Sequence, residues 1–381
     1  LLNVLPTMLP ALPRTFGKLS DVFVSALGSV TGQDNRLGLK RVARSTVILV
    51  DGLGSHNLRS AAGHAPFLNA ELKRSGSIGV GFPSTTATSI TSFGTGLSAG
   101  EHGIVGYSIF DTAKSRTANL LSGWGHEQDP LTWQPNQTVA ERALQAGVKA
   151  FVVGPADYAG SGFTKISMRG AEYVPANSIA ERFAKIAKLH KTERNFICYL
   201  YVPELDQVAH SKGWESAKWL ELLEEVDGEA RNLSAQLSPQ DGLLITADHG
   251  VIDVPIDRHI YLDALDIEWP TRLQIAGDPR VSFIYCEAEE AVSLVAQLNL
   301  KLGGAALALT KRQVIEAGWY GQTVSAMVAV RLPEIFVVPI KPVALYHREF
   351  ASPQSLKMIG QHGSVSADEL LVPLLKLAGY Q

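Results

Sequence analysis

Two acid–histidine pairs lie far apart in this 381-residue chain, and together they have the residue types of one metal site. Asp206 and His210 are four residues apart in YVPELDQVAHSKG, a spacing that puts both side chains on one face of a helical turn. Asp248 and His249 are adjacent in LLITADHG, and a third acid, Asp51, ends the apolar run TVILVDGLG. Carboxylates and imidazoles bind divalent ions, which neutralise charge on a phosphoryl group. The set predicts metal-assisted chemistry at a phosphorus centre.

Two further segments supply the remaining groups that such chemistry needs. His362 lies in GQHG near the C-terminus. A hydroxyl can act as the nucleophile when a base or a metal lowers its pKa, and at a helix N-terminus it also gains backbone N–H donors for an anion. Ordinary helix capping is the alternative role, and composition alone does not choose among the hydroxyls. The segment FPSTTATS offers Ser84, Thr85, Thr86, Thr88 and Ser89.

Single motifs in this set also have ordinary structural explanations. Asp248 could cap the next turn and leave His249 at the surface, but a buried carboxylate is costly unless it is paired or ligated. Asp51 precedes Gly52 and Gly54, and a strand-ending Asp-Gly is commonly a plain turn. These glycines do not complete a dinucleotide or P-loop fingerprint. The sequence therefore does not predict a phosphate-binding loop at this position.

Short apolar runs alternate with amphipathic segments along the chain. The apolar runs are nearly apolar throughout, as in a sheet covered on both faces. This alternation predicts an α/β fold with a doubly wound, mostly parallel central sheet flanked by helices. The predicted strands are Thr46–Val50, Ser77–Phe82, Ala150–Val153, Phe196–Val202 and Leu243–Ala247. The predicted helices are Pro66–Arg74, Thr138–Ala146, Ser178–His190 and Ser216–Leu237.

The acidic residues fall where predicted strands end. Asp51 follows TVILV, Asp248 follows LLITA, and Asp206 follows FICYLYVPEL. In open α/β sheets, ligands bind outside the carboxyl ends of the strands. We therefore expect these three side chains to meet at one edge of the sheet.

Residues 254–346 have a different pattern and predict a smaller α+β insertion. Its predicted elements are VSFIYC, a helix over Glu287–Leu302, AALAL, a short helix beginning near Thr310, IFVVPI and VALY. The catalytic core is then residues 1–253 plus 347–381. We expect the chain to return to this core through a helix over Ala367–Ala378.

Composition excludes several classes of function. The chain is 46% hydrophobic and 19% charged with a net charge of -3, which gives no basic footprint for a nucleic-acid polymer. The chain contains no run of about 18 apolar residues, so the sequence predicts no membrane span.

The first residues, LLNVLPTMLPALPRTF, contain prolines that disrupt a helix, so they fit neither a signal h-region nor an anchor. We therefore predict a cytoplasmic location. Cys198 and Cys286 are expected to be buried free thiols. Oligomeric state is not readable from the sequence.

The ordered motifs resemble the type I phosphodiesterase/nucleotide pyrophosphatase family of the alkaline phosphatase superfamily. The segments that carry the resemblance are VDGLG, FPSTTATS, TGLSAGEHGIVGY, PELDQVAHSKG, TADHG and GQHG, in that order. They extend from about residue 46 to the C-terminal region. The resemblance therefore covers nearly the whole chain and implies an alkaline phosphatase-like fold.

The resemblance also implies two zinc ions about 4 Å apart, a usual spacing for two-metal sites. Manganese or iron can also occupy sites of mixed Asp and His ligands. By the family's pattern, one ion is held by Asp206, His210 and His362. The other is held by Asp51, Asp248, His249 and the oxygen of the nucleophile, which falls on Thr86.

The implied reaction has two steps. Thr86 attacks phosphorus in line and expels the leaving group, and water then hydrolyses the phosphothreonine or nucleotidyl-threonine. The expected substrate is a small phosphodiester, pyrophosphate or phosphonate.

Two departures from the nucleotide pyrophosphatase pattern put nucleotide preference in doubt. There, a phenylalanine of the base-stacking slot follows the nucleophile, whereas here Ala87 follows Thr86. In that branch an asparagine after the HGI motif donates to a phosphoryl oxygen. HGIVGY places Tyr107 there, and a tyrosine hydroxyl can also donate, so Tyr107 is a candidate catalytic residue.

A long segment from Pro155 to Tyr173 is expected to be a substrate loop. Tyr158, Phe163 and Lys165 either line a pocket or fold the loop onto itself. Structural roles are expected for the unassigned residues Glu101, His102 and His259.

Alternative functions on the same scaffold are a phosphonate hydrolase and a phosphomonoesterase. A monoesterase must neutralise an extra negative charge, normally with a cation. FPSTTATS contains no Arg or Lys, although Lys165 or Arg169 could supply the charge. A phosphoglycerate mutase-like isomerase would need a large domain directly after the nucleophile, and the interval from Thr86 to Ala150 is too short for one. A non-catalytic metal-binding protein would be expected to have lost a ligand, yet all seven positions carry competent residues.

Overall fold

The computed structural model describes residues 9–125 and 129–381. Its strands are β1 (Arg44–Val50), β2 (Ser77–Gly79), β3 (Ser108–Asp111), β4 (Arg116–Asn119), β5 (Lys149–Gly154), β6 (Glu172–Pro175), β7 (Phe196–Val202), β8 (Asp241–Thr246), β9 (Ile252–Asp253), β10 (His259–Tyr261), β11 (Gln274–Asp278), β12 (Val281–Tyr285), β13 (Ala306–Thr310), β14 (Ile335–Pro339), β15 (Ala344–Tyr346), β16 (Gly360–Gln361) and β17 (Leu371–Ala378). Its helices are α1 (Leu19–Thr31), α2 (Ser55–Ser60), α3 (Pro66–Ser75), α4 (Thr86–Thr95), α5 (Ala99–His102), α6 (Pro130–Trp133), α7 (Val139–Gln145), α8 (Gly162–Met168), α9 (Ile179–Thr192), α10 (Glu204–Lys212), α11 (Ala217–Gln236), α12 (Ala288–Leu302), α13 (Lys311–Glu316), α14 (Ala326–Ala329) and α15 (Ala367–Leu370).

The central sheet has the strand order β2-β17-β8-β1-β7-β5-β6. Strands β8, β1, β7, β5 and β6 are parallel to one another, and β17 pairs antiparallel with β8 and β2. Helices α1, α4 and α7 contact one another over one face, and α3, α9 and α11 pack together over the other. All residues of β8 are buried, as expected for a strand covered on both faces. The predicted mostly parallel sheet with flanking helices is confirmed.

The predicted helix over Ala367–Ala378 is wrong. Helix α15 ends at Leu370, and residues 371–378 form β17 instead. The run LVPLLKLA contains Pro373, which has no backbone N–H and would disrupt a helix interior. The run is apolar on both sides, which suits a position between β8 and β2 in the covered sheet. The predicted strand over Ser77–Phe82 also forms, but it ends at Gly79.

The expected loop over Pro155–Tyr173 is only partly irregular. Residues 162–168 form α8, and the Ser161 side chain caps its first turn by accepting a hydrogen bond from the Thr164 backbone N–H. A serine side chain at this position satisfies one of the free N–H groups of a helix start. The connection between β5 and β6 therefore contains a short capped helix, where the sequence predicts a long loop.

A second, antiparallel sheet occupies much of the region that the sequence predicts as an insertion. Its order is β11-β12-β14-β13, and α12 packs on one face through a separate hydrophobic cluster. On the other face, Phe283 and Phe336 join the main core. The predicted strands and helices of this region form, while its separation as a domain stays a prediction.

The structure also bears on the predictions for the cysteines, a membrane span and the N-terminal stretch. Cys198 is buried and Cys286 is half-buried, and neither is in a disulfide. Across residues 9–125 and 129–381, no helix has the length and apolar character needed to cross a membrane. Residues 1–8 of the proline-bearing N-terminal stretch lie outside the described residues. The cytoplasmic location is therefore still a prediction.

Candidate active site

Three neighbouring strands of the central sheet deliver the acidic residues to one edge. Strand β1 ends at Val50 and is followed by Asp51, while β8 ends at Thr246 and leads into Asp248 and His249. Strand β7 leads into α10, which carries Asp206 and His210 one turn apart. Because β8, β1 and β7 are adjacent and parallel, their carboxyl ends lie side by side. The expected meeting of the three acids at this edge is observed.

A turn after β16 brings His362 to the same place by binding the segment before α4. The His362 Nδ1 donates to the Ser84 carbonyl at 2.9 Å, and the Gly363 N–H donates to Ser84 Oγ at 3.2 Å. Ser84 Oγ in turn donates to the Ser364 carbonyl at 2.9 Å. Thr86 is the first residue of α4 and is buried. The turn with the last histidine and the hydroxyl segment are thus held together.

The seven predicted metal-site residues converge in two overlapping groups. In the first, His249 Nε2 lies 3.1 Å from Thr86 Oγ1, 3.3 Å from Asp51 Oδ1 and 3.5 Å from Asp248 Oδ2.

In the second group, Asp206 Oδ2 lies 3.1 Å from His210 Nε2, and Asp206 Oδ1 lies 3.8 Å from His362 Nε2. The rings of His249 and His362 stack with centroids 3.6 Å apart, which joins the two groups. Asp206 also lies within ligand distance of Asp51 and His249, so it is placed between the groups.

Geometry distinguishes the five hydroxyls that composition leaves equivalent. Ser84 Oγ is used by the His362 turn, and Thr85 Oγ1 donates to Thr88 Oγ1 at 3.3 Å. Ser89 Oγ is buried without a hydrogen-bond partner. Of the five, Thr86 is the one whose hydroxyl contacts the histidine and carboxylate cluster.

All three histidines present the same ring nitrogen to the centre of the cluster. Their Nδ1 atoms face backbone carbonyls, of Gly360 at 2.8 Å for His210, Ser84 at 2.9 Å for His362 and Gly250 at 3.3 Å for His249. A carbonyl only accepts, so in each neutral ring Nδ1 carries the hydrogen and Nε2 keeps its lone pair. Metal-binding histidines commonly have this arrangement, in which the second nitrogen is held by a hydrogen bond.

The carboxylates of the cluster are short of partners. Asp51 Oδ1, Asp206 Oδ1 and Asp248 Oδ2 are buried without a hydrogen-bond partner among the described residues. Burial, then the charges of Asp248 and Asp206, raise the pKa of Asp51 well above its usual range. Burial and the Asp206 charge raise the pKa of Asp248 to about 7. Buried carboxylates of this kind require a compensating cation, and the mixed nitrogen and oxygen donors fit zinc.

The pKa of Asp206 moves in the opposite direction because histidines face it. Burial raises this pKa, but the neighbouring His210 and His362 outweigh burial and hold it below its usual range. Burial lowers and the Asp206 carboxylate raises the pKa of His210, with a net rise to about 9. Burial lowers the pKa of His249 and His362. Protons therefore compete with a metal ion for His210 more than for the other two rings.

Two glycines permit the close approach of the turns. Gly52 has φ +73°, and a Cβ there would lie 3.1 Å from Asp206 Cβ and 3.2 Å from Asp206 Oδ1. Its N–H donates to Asp248 Oδ1 at 3.3 Å. A Cβ at Gly250 would lie 1.9 Å from the Asp368 carbonyl oxygen. Side chains at these positions would separate the ligand-bearing turns.

Sequence reasoning misses two residues next to the cluster. The Tyr201 hydroxyl donates to Asp51 Oδ2 and so fixes that carboxylate. The sequence feature that could have identified Tyr201 is its position near the end of β7, the strand that leads to Asp206. Asp278 ends β11 of the second sheet, and its Oδ2 is buried without a partner in the described structure. Burial raises the pKa of Asp278 to about 7, and its charge is felt by His210. No local pattern marks Asp278, because only the tertiary fold brings the second sheet to this edge.

Tyr107 directly precedes β3 and is 38% exposed. Burial and the nearby Asp278 raise the pKa of its hydroxyl, and a hydrogen bond with Asn119 lowers it. Asp278 therefore faces both Tyr107 and the His210 side of the metal cluster. The role of Tyr107 as a donor stays a prediction.

The residues of the expected substrate loop separate in the structure. The ring of Tyr158 lies 6.1 Å from that of Tyr201, while Phe163 packs against the main core. Lys165 is exposed, and Arg169 donates to Glu141 at 2.8 Å. Arg169 is therefore engaged with a carboxylate of α7 rather than free for a substrate.

The residues expected to be structural have partners of their own or pack in the fold. Glu101 completes the capping box of α5 with Ser98. The buried His102 accepts from the Ile104 N–H through Nδ1 at 3.1 Å, so its Nε2 donates to Ser92 Oγ at 2.9 Å. The ring of His259 packs 4.7 Å from that of Tyr346.

Comparisons with known proteins agree with this geometry. The family model of type I phosphodiesterase / nucleotide pyrophosphatase matches residues 46–364. Murine ectonucleotide pyrophosphatase / phosphodiesterase 5 is similar in structure, with 19% identity, 87% of each chain covered and a TM-score of 0.66. An inactive threonine-to-alanine variant of it in complex with AMP gives 20% identity, 87% of each chain and a TM-score of 0.63.

A phosphonoacetate hydrolase from Sinorhizobium meliloti 1021, in complex with phosphonoformate, is also similar in structure. It has 18% identity and a TM-score of 0.69, with 89% of this chain and 91% of that chain covered. Curated protein sequences give no significant match. The family match extends over most of the chain, and both neighbours share the α/β fold with its mostly parallel sheet. The chain thus belongs to the type I phosphodiesterase/nucleotide pyrophosphatase family, a family of phosphoric ester hydrolases within the alkaline phosphatase superfamily.

Proposed function

We propose that the protein is a di-zinc phosphodiesterase in which Thr86 is the nucleophile. The observation that carries this proposal is the contact of Thr86 Oγ1 with His249 Nε2 at 3.1 Å, at a helix N-terminus and beside carboxylate oxygens that have no partner. The relative whose threonine-to-alanine variant is described as inactive supports a threonine nucleophile in this fold.

One ion would be held by Asp206, His210 and His362. The other would be held by Asp51, Thr86, Asp248 and His249. When bound, the ions lower the pKa of a hydroxyl nucleophile and neutralise charge on the leaving oxygen. The orientation of the three Nε2 atoms and the partnerless carboxylate oxygens support this assignment.

The first step joins Thr86 Oγ1 to phosphorus as the bond from phosphorus to the leaving oxygen breaks on the opposite side. The Thr86 hydroxyl proton is lost to solvent. A leaving group that departs as a basic alkoxide takes up a proton from solvent. Helix α4 aids this step, because its cap residue Thr85 makes no side-chain cap bond. The first N–H groups of α4 are therefore available to an anionic phosphoryl oxygen.

In the second step, the oxygen of a water molecule bonds to phosphorus, and the bond between phosphorus and Thr86 Oγ1 breaks. Thr86 regains its proton, and the phosphoryl product leaves. Tyr201 holds Asp51 in place throughout by donating to its Oδ2. We further propose that the Tyr107 hydroxyl donates to a phosphoryl oxygen. Replacing Tyr107 by Phe then lowers kcat/KM a few-fold, roughly the loss of one hydrogen bond, and an unchanged kcat/KM would remove this role.

A diester fits the site better than a monoester. A monoester brings a second negative charge, which normally requires an Arg or Lys. Arg169, one of the two cations that sequence reasoning offers, is bound to Glu141. The side chain that the second sheet brings to the His210 side is an acid, Asp278, and not a cation. The expected substrate is therefore a small diester or pyrophosphate.

A phosphonate hydrolase is the second candidate. The similarity in structure to phosphonoacetate hydrolase favours it, as does Ala87 in place of the phenylalanine of nucleotide-specific relatives. Both candidates use the same metal cluster and nucleophile, and they differ in the bond that breaks. The P–C bond of a phosphonate makes carbon the leaving atom, so its leaving group must be stabilised as a carbanion.

Hydrolysis of bis-p-nitrophenyl phosphate, p-nitrophenyl phosphate and phosphonoacetate on one zinc-loaded sample tests the proposal. Metal content is determined on the same sample. We expect preference for the diester with about two zinc ions per chain. Preference for the monoester would contradict the diester proposal, and phosphate release from phosphonoacetate alone would establish the second candidate.

A further inference from the structure

A buried ion pair joins the second sheet to the segment after His362. Arg280 and Glu369 are both almost fully buried, at 1% and 0% exposure. Arg280 Nη2 donates to Glu369 Oε2 at 2.7 Å, and Arg280 Nε donates to Oε1 at 3.1 Å. This two-point geometry fixes the direction of both side chains as well as their distance.

Glu369 contacts both turns that carry the central histidines. Its Oε1 accepts from the Ser364 N–H at 3.0 Å, two residues after His362. Its backbone carbonyl accepts from the Gly250 N–H at 2.9 Å, one residue after His249. The two turns are otherwise far apart in the chain. Glu369 therefore sets the position of one relative to the other.

Arg280 is itself held rigidly by the second sheet. It lies between β11 and β12, and its Nη1 donates to the carbonyls of Lys341 and Val343, each at 2.6 Å. The backbone of the His362 turn lies directly against it. A Cβ at Gly363 would be 3.5 Å from Arg280 Cβ, and Gly363 has φ +128°. Each of the three side-chain nitrogen atoms of this arginine thus donates to a fixed acceptor.

We propose that Arg280 and Glu369 are positioning residues that hold His249 and His362 at the separation a pair of metal ions requires. Neither residue touches substrate or metal in this role, and the inference rests on the proposed metal-dependent function. Through this pair the second sheet helps to hold the metal ligands in position. Groups that orient metal ligands typically change metal affinity 10–100-fold when they are lost.

A purely structural ion pair would behave differently. Removing one partner of a buried pair strongly destabilises a protein because the other charge is left unpaired. Such an effect lowers the unfolding midpoint but leaves the metal affinity of the folded chain unchanged. Affinity measured on folded, metal-free protein therefore separates positioning from stability.

The test is Co²⁺ and Zn²⁺ binding to metal-free protein, by competition with a chromophoric chelator and by the visible absorption of bound Co²⁺. Glu369→Gln keeps the size of the side chain but loses the charge and one of the two acceptor oxygens, so it cannot keep the two-point bond to Arg280. We expect 10–100-fold weaker binding of at least one ion and an altered Co²⁺ spectrum, with circular dichroism showing a folded chain. Wild-type affinity in the folded variant would overturn the positioning role.

A double variant keeps the test valid if Glu369→Gln does not fold. Arg280→Met with Glu369→Gln removes both charges, and replacing a buried pair by neutral groups is often tolerated. We expect it to fold with weak metal binding, and wild-type affinity would again overturn the proposal.

The matched control is Asp241→Asn, which breaks the buried pair of Asp241 with Arg44 at the opposite edge of the sheet. It should lower stability and leave metal affinity unchanged. A comparable loss of affinity in this control would attribute the effect to general destabilisation and overturn the positioning role. Absence of metal binding in the wild type would instead contradict the proposed function itself, so the two failures are distinguishable.

Discussion

The central sheet has clusters of the same residue types at the edge where its parallel strands begin and at the edge where they end. The two clusters differ in whether their carboxylate oxygens have hydrogen-bond partners. At the edge where β1 and β8 begin, Thr46 Oγ1 lies 2.9 Å from His190 Nε2, and His190 Nδ1 lies 2.9 Å from Asp241 Oδ1. Arg44 and Ser238 also donate to Asp241, so both of its oxygens have partners. At the other edge, Thr86, His249 and Asp51 lie together in a similar way, but Asp51 Oδ1 accepts no hydrogen bond from any described residue.

The difference shows that residue types alone do not make an active site. A threonine, a histidine and an aspartate occur at both edges, yet an arginine neutralises the carboxylate at one edge only. Where every polar atom has a partner, the cluster stabilises the fold. Where carboxylate oxygens lack partners, the fold retains a free-energy cost that a bound cation removes. The missing partners, rather than the motif, distinguish the edge that we propose to be the active site.

Paired substitution of the two threonines tests this contrast most strongly. Thr86→Ala is expected to lower kcat by roughly 10³-fold or more because the nucleophile is lost. Thr46→Ala at the opposite edge should leave kcat nearly unchanged and cost about 1 kcal/mol of stability for one hydrogen bond. Steady-state kinetics and urea unfolding on both variants measure these effects. Unchanged turnover in Thr86→Ala would place the nucleophile elsewhere in FPSTTATS.

Paired substitution of the histidines gives the next largest effect. His362→Ala should bind one metal ion fewer per chain, since it removes a ligand whose Nε2 faces Asp206. His190→Ala should retain the full metal content and lose only stability, because its ring is bound within a neutralised network. Metal analysis after desalting decides between them. Equal metal content in the two variants would mean that His362 is not a ligand.

The pH dependence of stability in metal-free protein gives the smallest expected effect, and its sign differs between the edges. Burial raises the folded pKa of Asp248 to about 7, so its contribution is fully present below the unfolded pKa and is lost as pH rises through 7. Partners hold the folded pKa of Asp241 below its usual range, so its contribution is lost only as pH falls below about 4.

Urea unfolding of metal-free protein at pH 5 and pH 8 measures this difference. Asp248 should lower the stability of the wild type by on the order of 1–3 kcal/mol from pH 5 to pH 8, while His249 and His362, whose pKa values burial lowers, act in the opposite direction. Asp248→Asn should lose less over the same interval. Asp241→Asn should be destabilised at both pH values and keep the wild-type difference between them. An Asp248→Asn variant with the same change in stability between pH 5 and pH 8 as the wild type would contradict the raised pKa of Asp248.

Much of the fold and the cluster was predictable because the information is local. Buried parallel strands are continuous apolar runs, and the acids directly follow them, so the edge could be located from TVILVD and LLITAD. The choice of Thr86 among five hydroxyls came from the family resemblance, since composition cannot rank them. The structure brings its hydroxyl to His249, which supports that choice.

The parts that were missed depend on contacts between distant segments. Residues 371–378 have no alternation to mark a strand, and their partners β2 and β8 lie far away in the sequence, although Pro373 already argues against a helix. Asp278 and the Arg280–Glu369 pair reach the site through the second sheet, which no spacing in the sequence reveals. A sequence could also mislead by suggesting a site where none exists. Thr46, His190 and Asp241 are of the residue types found in active sites, yet they form a structural network whose carboxylate is neutralised by Arg44.

The position of β17 has a consequence for the order in which the protein can assemble during synthesis. Strand β17 lies between β2 and β8, so until residues 371–378 leave the ribosome β2 lacks its partner in the sheet and β8 is paired on the β1 side alone. Glu369 and His362 emerge just ahead of that strand. Until then the side of β8 that faces away from β1 is an exposed sheet edge, and such an edge can pair with another nascent chain. A ribosome-stalled chain ending before Leu371 would therefore expose that edge and lack the pairing that completes the central sheet.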